Sequence, residues 1–124
     1  MERMYRNPSK WNYAANCMGW ALQIKDWVHM DKHNELSHDE CALLFAKQAG
    51  LKIVQRKDMV LGKEYIALRV NTHDYHFMRR NASGHWTHKQ GGQPVRTISQ
   101  KKVFGEAWNR QGESYFGKIW LFEI

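Results

Sequence analysis

The amino-acid sequence predicts an α+β domain in which N-terminal helices pack on an antiparallel β-sheet. Helical patterns lie before Gly50, and β-branched or apolar runs follow from Leu51 onward. A chain whose helices come first and whose strands come together afterwards is typical of this class. Its 124 residues contain no internal repeat or Pro/Gly/Ser-rich linker. We therefore expect a single domain, 1–124, that is long enough to bury a core.

The two helices are predicted from apolar spacing and from the residues at their ends. Residues 16–30 carry apolar side chains at helical intervals, and Asn16 is a favourable N-cap for that helix. The polar residues 31–34 follow as a link. The sequence Ser-His-Asp-Glu at 37–40 has the capping-box pattern, which predicts a second helix that ends at Gly50.

The strands are predicted from short apolar runs that are bounded by turn residues. Gly62 marks one turn, and Gly-Gly-Gln-Pro at 91–94 breaks the chain later. Residues 95–113 give no clear prediction. The predicted strands are 51–55, 65–70, 75–80, 85–89 and 118–124.

The composition excludes several classes of protein. A hydrophobic content of 43% and an aromatic content of 13% exclude a disordered chain. No apolar run approaches the length of a membrane span. The N-terminus lacks the pattern of a Sec signal peptide, so we expect synthesis in the cytoplasm and a non-Sec route to any cell wall or other cell. In a reducing compartment Cys17 and Cys41 are expected to be free thiols.

The formal net charge of +7 favours a polyanionic partner or substrate surface. Nucleic acid, an anionic cell wall and acidic proteins all meet that description. Basic side chains near Trp86 and Phe104 suit single-stranded nucleic acid, although a solvated basic face explains them equally well. These basic residues are Arg79, Arg80, Lys89, Arg96, Lys101 and Lys102.

Cys17 is the better nucleophile of the two cysteines. With Asn16 as N-cap it occupies the first helical turn, where backbone N–H groups and the helix dipole stabilise a thiolate. The same N–H groups are available to hold an oxyanion during acyl transfer. Cys41 lies inside the second helix, where this assistance is weaker. The alternative is that Cys17 is a small apolar residue on a core-facing helix.

A hairpin with two histidines supplies the base that such a thiol needs. If residues 82–84 form a three-residue loop that ends in a left-handed glycine, Met78 pairs with His88. His76 shares a face with Met78, so His88 becomes its diagonal neighbour at about 7–8 Å by backbone. A two- or four-residue loop would move His88 to the other face. Asp74 competes with His88 as the orienting group, because it also shares a face with His76 in a regular strand.

The order of these residues resembles the NlpC-type branch of papain-like cysteine peptidases. The run Asn-Cys-Met-Gly at 16–19 is similar to that family's Asp-Cys-Ser-Gly helix start, and the two histidines have the spacing of its base and third residue. Residues 74–95 are also similar to small phage and bacterial proteins with a DYHFYR…WSHKPG-like pattern. The resemblance implies a papain-like fold with Cys17 as nucleophile, His76 as base and His88 as orienting residue.

The resemblance also implies a function, namely hydrolysis of an amide or peptide bond without a cofactor. The substrate would be a peptide, a peptidoglycan peptide or a host or bacterial protein. Tyr13 is placed to supply an oxyanion contact, and Asn16 and Asp74 are supporting residues. The alternative is a basic phage or mobile-element module that binds nucleic acid or inhibits a protein, on the same scaffold but without activity.

A metal site is also considered and set aside. One cluster of potential ligands contains His29, Asp31, His33 and His38. Zinc sites need three or four convergent ligands with supporting hydrogen bonds. Asp31 and Asn34 indicate that the helix has ended before these side chains could share one face. We therefore predict a solvated polar loop and no metal.

Overall fold

The computed structural model describes residues 11, 13–30, 35–70, 75–105, 109–110, 113–114 and 119–124. Within these ranges the helices are α1 (Cys17–Leu22), α2 (His38–Ala49) and α3 (Gln100–Val103), and Arg56–Asp58 form a 3₁₀ turn. The first strands are β1 (Lys52–Val54), β2 (Tyr65–Val70), β3 (Tyr75–Arg80) and β4 (Trp86–His88). The later strands are β5 (Arg96–Ile98), β6 (Asn109–Arg110), β7 (Glu113–Ser114) and β8 (Ile119–Glu123).

Six of these strands form one antiparallel sheet in the order β1-β8-β2-β3-β4-β5, whereas β6 and β7 pair with each other. The predicted α+β class is confirmed. No helix in the described parts of the chain is long and apolar enough to cross a membrane.

The sheet carries a buried apolar cluster on each face. Because side chains alternate along a strand, Leu68 and Phe77 pack on the face that α1 and α2 cover. Ala67 and Met78 pack on the other face, together with Val103 of α3. Every residue of β2 is buried. This two-sided burial explains why that strand, apart from Arg69, reads as an apolar run.

The first helix is shorter than the sequence predicts. The helix expected over 16–30 ends at Leu22, because Gln23 adopts a left-handed conformation with φ of 59°. The Ile24 N–H then donates to the Gly19 carbonyl at 2.8 Å. Together these features terminate the helix in the manner of a Schellman motif. Apolar spacing alone does not report such an ending.

After α1 the chain folds back over the first turn of that helix. Asn16 is the N-cap as predicted: its Oδ1 accepts the Gly19 N–H at 2.9 Å, and its side-chain amide donates to the Val28 carbonyl at 2.7 Å. A Cβ at position 19 would lie 2.2 Å from the Asp26 carbonyl oxygen, so the close approach requires glycine. Trp27, expected on the apolar helical stripe, is instead 45% exposed.

Other predicted elements are confirmed with small changes in their ends. Ser37 and Glu40 form the capping box of α2, and Gly50 ends it with φ of 68°. The strands at 65–70 and 75–80 have the predicted bounds, and the remaining predicted strands are shorter. The segment 95–113, for which the sequence gives no clear prediction, contains β5, α3, β6 and the first residue of β7.

Candidate functional site

Two buried imidazoles meet on the face of the sheet that contains Met78. The Nε2 atom of His76 lies 3.1 Å from Nδ1 of His88. The ring centroids are 5.3 Å apart and the planes are nearly perpendicular, at 88°. One of the two nitrogens donates and the other accepts, so each ring fixes the tautomer of its partner. The predicted pairing of these histidines across the hairpin is confirmed.

The hairpin loop produces this pairing as the sequence predicts. Gly84 has φ of 90° and its N–H donates to the Asn81 carbonyl at 3.0 Å. The Asn81 N–H donates to the His85 carbonyl at 3.0 Å. The resulting register pairs Met78 with His88. The three-residue loop therefore decides that both histidines leave the same face of the sheet.

Strand β2 closes this side of the site with a buried arginine. Arg69 is the cross-strand partner of His76. Its guanidinium donates to the carbonyls of Val103 and Gly105. His76 is fully buried and His88 is 5% exposed. The imidazole pair is thus enclosed between the sheet and the segment around α3.

Cys17 is the first residue of α1, and two contacts fix that helix on β3 and β4. The Trp20 indole donates to the Thr87 hydroxyl at 3.1 Å. Arg79 donates to the Ala21 carbonyl at 2.6 Å and forms an ion pair with a Glu64 carboxylate at 3.1 Å. The helix that carries the thiol is therefore attached to the same two strands that carry the histidines.

Lys89 is a site residue that sequence reasoning missed. The side chain is fully buried, and its ammonium donates to the carbonyls of Ala15 and Gly91. Burial lowers the pKa of Lys89 to about 8, and the charge of a Cys17 thiolate acts in the opposite direction. Because attraction between opposite charges is mutual, the ammonium also favours the thiolate form of Cys17. Lys89 directly follows the buried strand β4, whereas its sequence context alone places it in a basic surface patch.

The second cysteine has a different environment. Cys41 is 2% exposed and Cys17 is 4% exposed, so the two thiols are almost equally buried. Burial raises the pKa of Cys41, and the nearby charge of Glu40 raises it further. Cys41 is therefore held in the unreactive thiol form.

The three remaining predicted site residues are Tyr13, Asn16 and Asp74. Tyr13 is 84% exposed, and its carbonyl accepts the Trp27 indole N–H at 2.8 Å. Asn16 uses its side chain to cap α1 and to hold the returning chain. Asp74 lies outside the described residues.

The polar segment considered for a metal is only partly described. Asp31, His33 and Asn34 lie outside the described residues. His29 has its Nδ1 atom 3.5 Å from the Tyr75 hydroxyl. Among the described residues, no group of three or more His, Cys, Asp or Glu side chains is placed to hold a metal ion.

Half of the predicted basic cluster is either buried or paired with another residue of the protein. Arg80 and Lys89 are buried, and Arg79 is engaged with Glu64. Trp86 is 2% exposed and packs edge-on against Phe104. These side chains are not available to stack on bases. The exposed basic residues of the predicted set are Arg96, Lys101 and Lys102.

Comparisons with known proteins give no information on the chemistry of this site. No protein-family model, curated protein or solved structure matches this chain. The Cys17 thiol lies in the cluster on one face of the sheet and interacts with the Lys89 cation. The His76 imidazole, whose ring is held by His88, lies on the opposite face. A nucleophile, a base and an orienting group are the components of triad chemistry.

Proposed function

We propose that this protein is a papain-like thiol hydrolase that cleaves an amide or peptide bond, with Cys17 as nucleophile, His76 as base and His88 as orienting residue. The observation that carries the proposal is the 3.1 Å contact between the two imidazoles. A catalytic base needs a partner that fixes its tautomer and ring plane. Since Nε2 of His76 is engaged with His88, its Nδ1 is the nitrogen that takes the thiol proton.

The proposed reaction proceeds through an acyl-enzyme. His76 removes the proton of Cys17, and the thiolate attacks the carbonyl carbon of the substrate. The imidazolium then gives the proton to the leaving amine, and a thioester remains on Cys17. His76 next removes a proton from water, which attacks the thioester and releases the acid. The proton returns to sulfur, while His88 holds the ring of His76 throughout.

The alternation of side chains along β3 sets a condition on this proposal. Consecutive side chains leave a strand on opposite faces. Phe77 packs in the cluster that contains Cys17, whereas His76 shares its face of the strand with Met78 of the other cluster. The proposed proton transfer therefore requires a rearrangement that brings His76, the second residue of β3, and Cys17 to the same side of the strand.

Several observations bear on the substrate and on the alternative function. The net charge of +7 favours an acidic substrate surface, which a cell-wall peptide or an acidic protein provides. Binding of single-stranded nucleic acid has less support, because Trp86 and Lys89 are buried. Cys17 is also buried, so a substrate reaches it only after local opening of the site.

Alkylation of the two cysteines tests the proposal directly. Because Cys17 and Cys41 are almost equally buried, static burial does not account for a difference between their alkylation rates. Near pH 7 we expect iodoacetamide to label Cys17 at least about tenfold faster, the effect of one pKa unit. His76→Ala is expected to remove most of that advantage, and His85→Ala, an exposed histidine of the same hairpin, is the control. Equal, slow labelling of both cysteines would favour the binding module.

A further inference from the structure

We propose that Lys89 is a positioning residue for Cys17, because its buried ammonium holds the backbone just before α1 and serves as counter-ion to the thiolate. This inference rests on the proposed use of Cys17 as nucleophile. It adds a fourth residue to the site and assigns the ionisation of the thiol to a group other than the base.

The hydrogen bonds of Lys89 place its ammonium beside the entrance to α1. It donates to the carbonyl of Ala15, which is two residues before Cys17, and to that of Gly91 in the turn after β4. An ammonium group has three donors in a tetrahedral arrangement. Two of them therefore tie the turn before the nucleophile to the turn after the histidine hairpin. This arrangement holds the thiol in position relative to β4.

The burial of Lys89 argues against a purely structural role. A charged side chain is rarely placed in the interior without a charged partner, because desolvation of an ion is costly. Carbonyl groups alone could be satisfied by a neutral donor. The interaction with a Cys17 thiolate supplies the opposite charge. The pair stabilises the Cys17 thiolate, and this stabilisation offsets the desolvation penalty of burying the Lys89 ammonium.

The Lys89 cation is important because α1 is too short to stabilise the thiolate strongly by itself. The sequence predicts that the N-terminus of a long helix stabilises the thiolate. The observed helix has only six residues, and the Gly19 N–H in its first turn is already bonded to the cap Asn16. Macrodipole effects grow with aligned peptide units and are small in so short a helix. Lys89 supplies the positive charge that the helix does not.

Other ionisable groups lie on the elements packed around this pair, and the test must separate them from Lys89. His76 and His88 contact each other on β3 and β4. The Tyr75 hydroxyl lies 3.5 Å from His29 and accepts the Met30 N–H at 3.2 Å. Arg79 of β3 is paired with Glu64.

The experiment measures the rate of Cys17 alkylation as a function of pH in the full-length protein. In Lys89→Met we expect the midpoint of the profile to rise by about one pH unit, so that the rate near pH 7 falls about tenfold. Lys89→Arg, which keeps the charge, is expected to recover part of the rate. Arg80→Met is the control, because it removes a buried cation from the far end of β3. An unchanged midpoint in a folded Lys89→Met overturns the inference.

A second measurement keeps the test decisive if Lys89→Met does not fold. The ¹³Cε resonance of Lys89 is titrated in the unmodified protein and in Cys17→Ala. We expect the Lys89 transition to move to lower pH in the variant, since the thiolate that stabilised the ammonium is gone. Identical transitions in the two proteins overturn the inference.

The outcomes separate this inference from the proposed function. If His76→Ala leaves the alkylation profile unchanged while Lys89→Met shifts it, the Cys–His hydrolase fails and the Lys89–Cys17 pair stands. If His76→Ala alone shifts the profile, the reverse holds.

Discussion

His88 presents its Nδ1 atom to Nε2 of His76 at 3.1 Å, so the second ring acts on the first through a single hydrogen bond. The δ position of an asparagine side chain occupies nearly the same place as an imidazole Nδ1. An asparagine at position 88 is therefore able to replace the orienting contact without a second imidazole.

Substitution of His88 tests this orienting role. We expect His88→Ala to slow Cys17 alkylation near pH 7 about tenfold or more, because the base loses its fixed tautomer. His88→Asn is expected to recover most of the rate. Peptide mapping by mass spectrometry gives the rate at each cysteine, and labelling of Cys41 serves as the internal reference. Equal rates in the alanine variant and the unmodified protein would assign His88 to the core alone.

A disulfide trap tests whether the thiol approaches His76. Disulfides require Cβ atoms about 3.5–4.5 Å apart. Because His76 and Cys17 lie on opposite faces of the sheet, the proposed transfer requires movement of β3. We therefore expect His76→Cys to crosslink to Cys17 slowly under mild oxidation, but faster than Met78→Cys, a control farther along β3. Mapping of the linked peptides after digestion gives the yield. A crosslink in neither variant would contradict the proton transfer proposed between these residues.

Gly19 is predicted to resist replacement more strongly than Gly50, Gly62 or Gly84. A Cβ there would lie 2.2 Å from the Asp26 carbonyl oxygen and 2.8 Å from that of Ile24. We expect Gly19→Ala to lower the free energy of unfolding by about 3 kcal/mol or more, despite the helix propensity of alanine. Gly50→Ala is the control, since its Cβ meets nothing within 4 Å and only the left-handed backbone resists it. Chemical denaturation compares the two variants, and equal losses would refute the steric explanation.

Gly84 is expected to control the hairpin through its backbone conformation. With φ of 90° it occupies a region that disfavours other residues, and an added Cβ would lie 3.0 Å from a Leu61 methyl group. We expect Gly84→Ala to cost about 1–2 kcal/mol in unfolding free energy. Ser83→Ala, at the exposed neighbouring position, should be nearly neutral. A thermal or denaturant melt of each variant decides the point, and a neutral Gly84→Ala would contradict it.

The folding stability of this protein is predicted to depend on the ionisation of Lys89. Its pKa is about 8 in the folded protein, against 10.5 as the ordinary value. Between these values the unfolded chain binds more protons than the folded one, so stability rises with pH through that window. The contribution of Lys89 is at most about 3 kcal/mol, the energy equivalent of the pKa difference. Denaturant unfolding near pH 7.5 and pH 10 measures the change, and Lys89→Met should reduce it. An undiminished rise in that variant would contradict the assignment.

The parts of the fold that the sequence predicted correctly depend on local chemistry. The capping box at Ser37 and the left-handed Gly84 are specified by the residues themselves, and they fixed α2 and the hairpin register. The end of α1 was predicted wrongly, because the helix stops at the left-handed Gln23 and the chain then returns to place Val28 against Asn16, twelve residues away in sequence. Contacts between residues so far apart in the chain produce no periodic pattern of apolar residues in the sequence.

The candidate site could be predicted only in part, because some of its contacts are local and others join residues far apart in sequence. The pairing of His76 with His88 followed from strand alternation and one turn. The position of Lys89 did not, because a lysine in a basic chain is expected at the surface. Its burial depends on the carbonyl of Ala15, a residue more than seventy positions earlier. Only the packed tertiary structure brings the two together.

His88 and Lys89 are joined by a single peptide bond, although one is bonded to the base and the other interacts with the thiol. A displacement of this short stretch of backbone would release the imidazole and withdraw the ammonium at the same moment. In the proposed mechanism, the reactivity of the sulfur therefore depends on β4 through both residues. A ligand or partner that displaces the glycine turn after Lys89 would disrupt the His76–His88 contact and the Lys89–Cys17 interaction together.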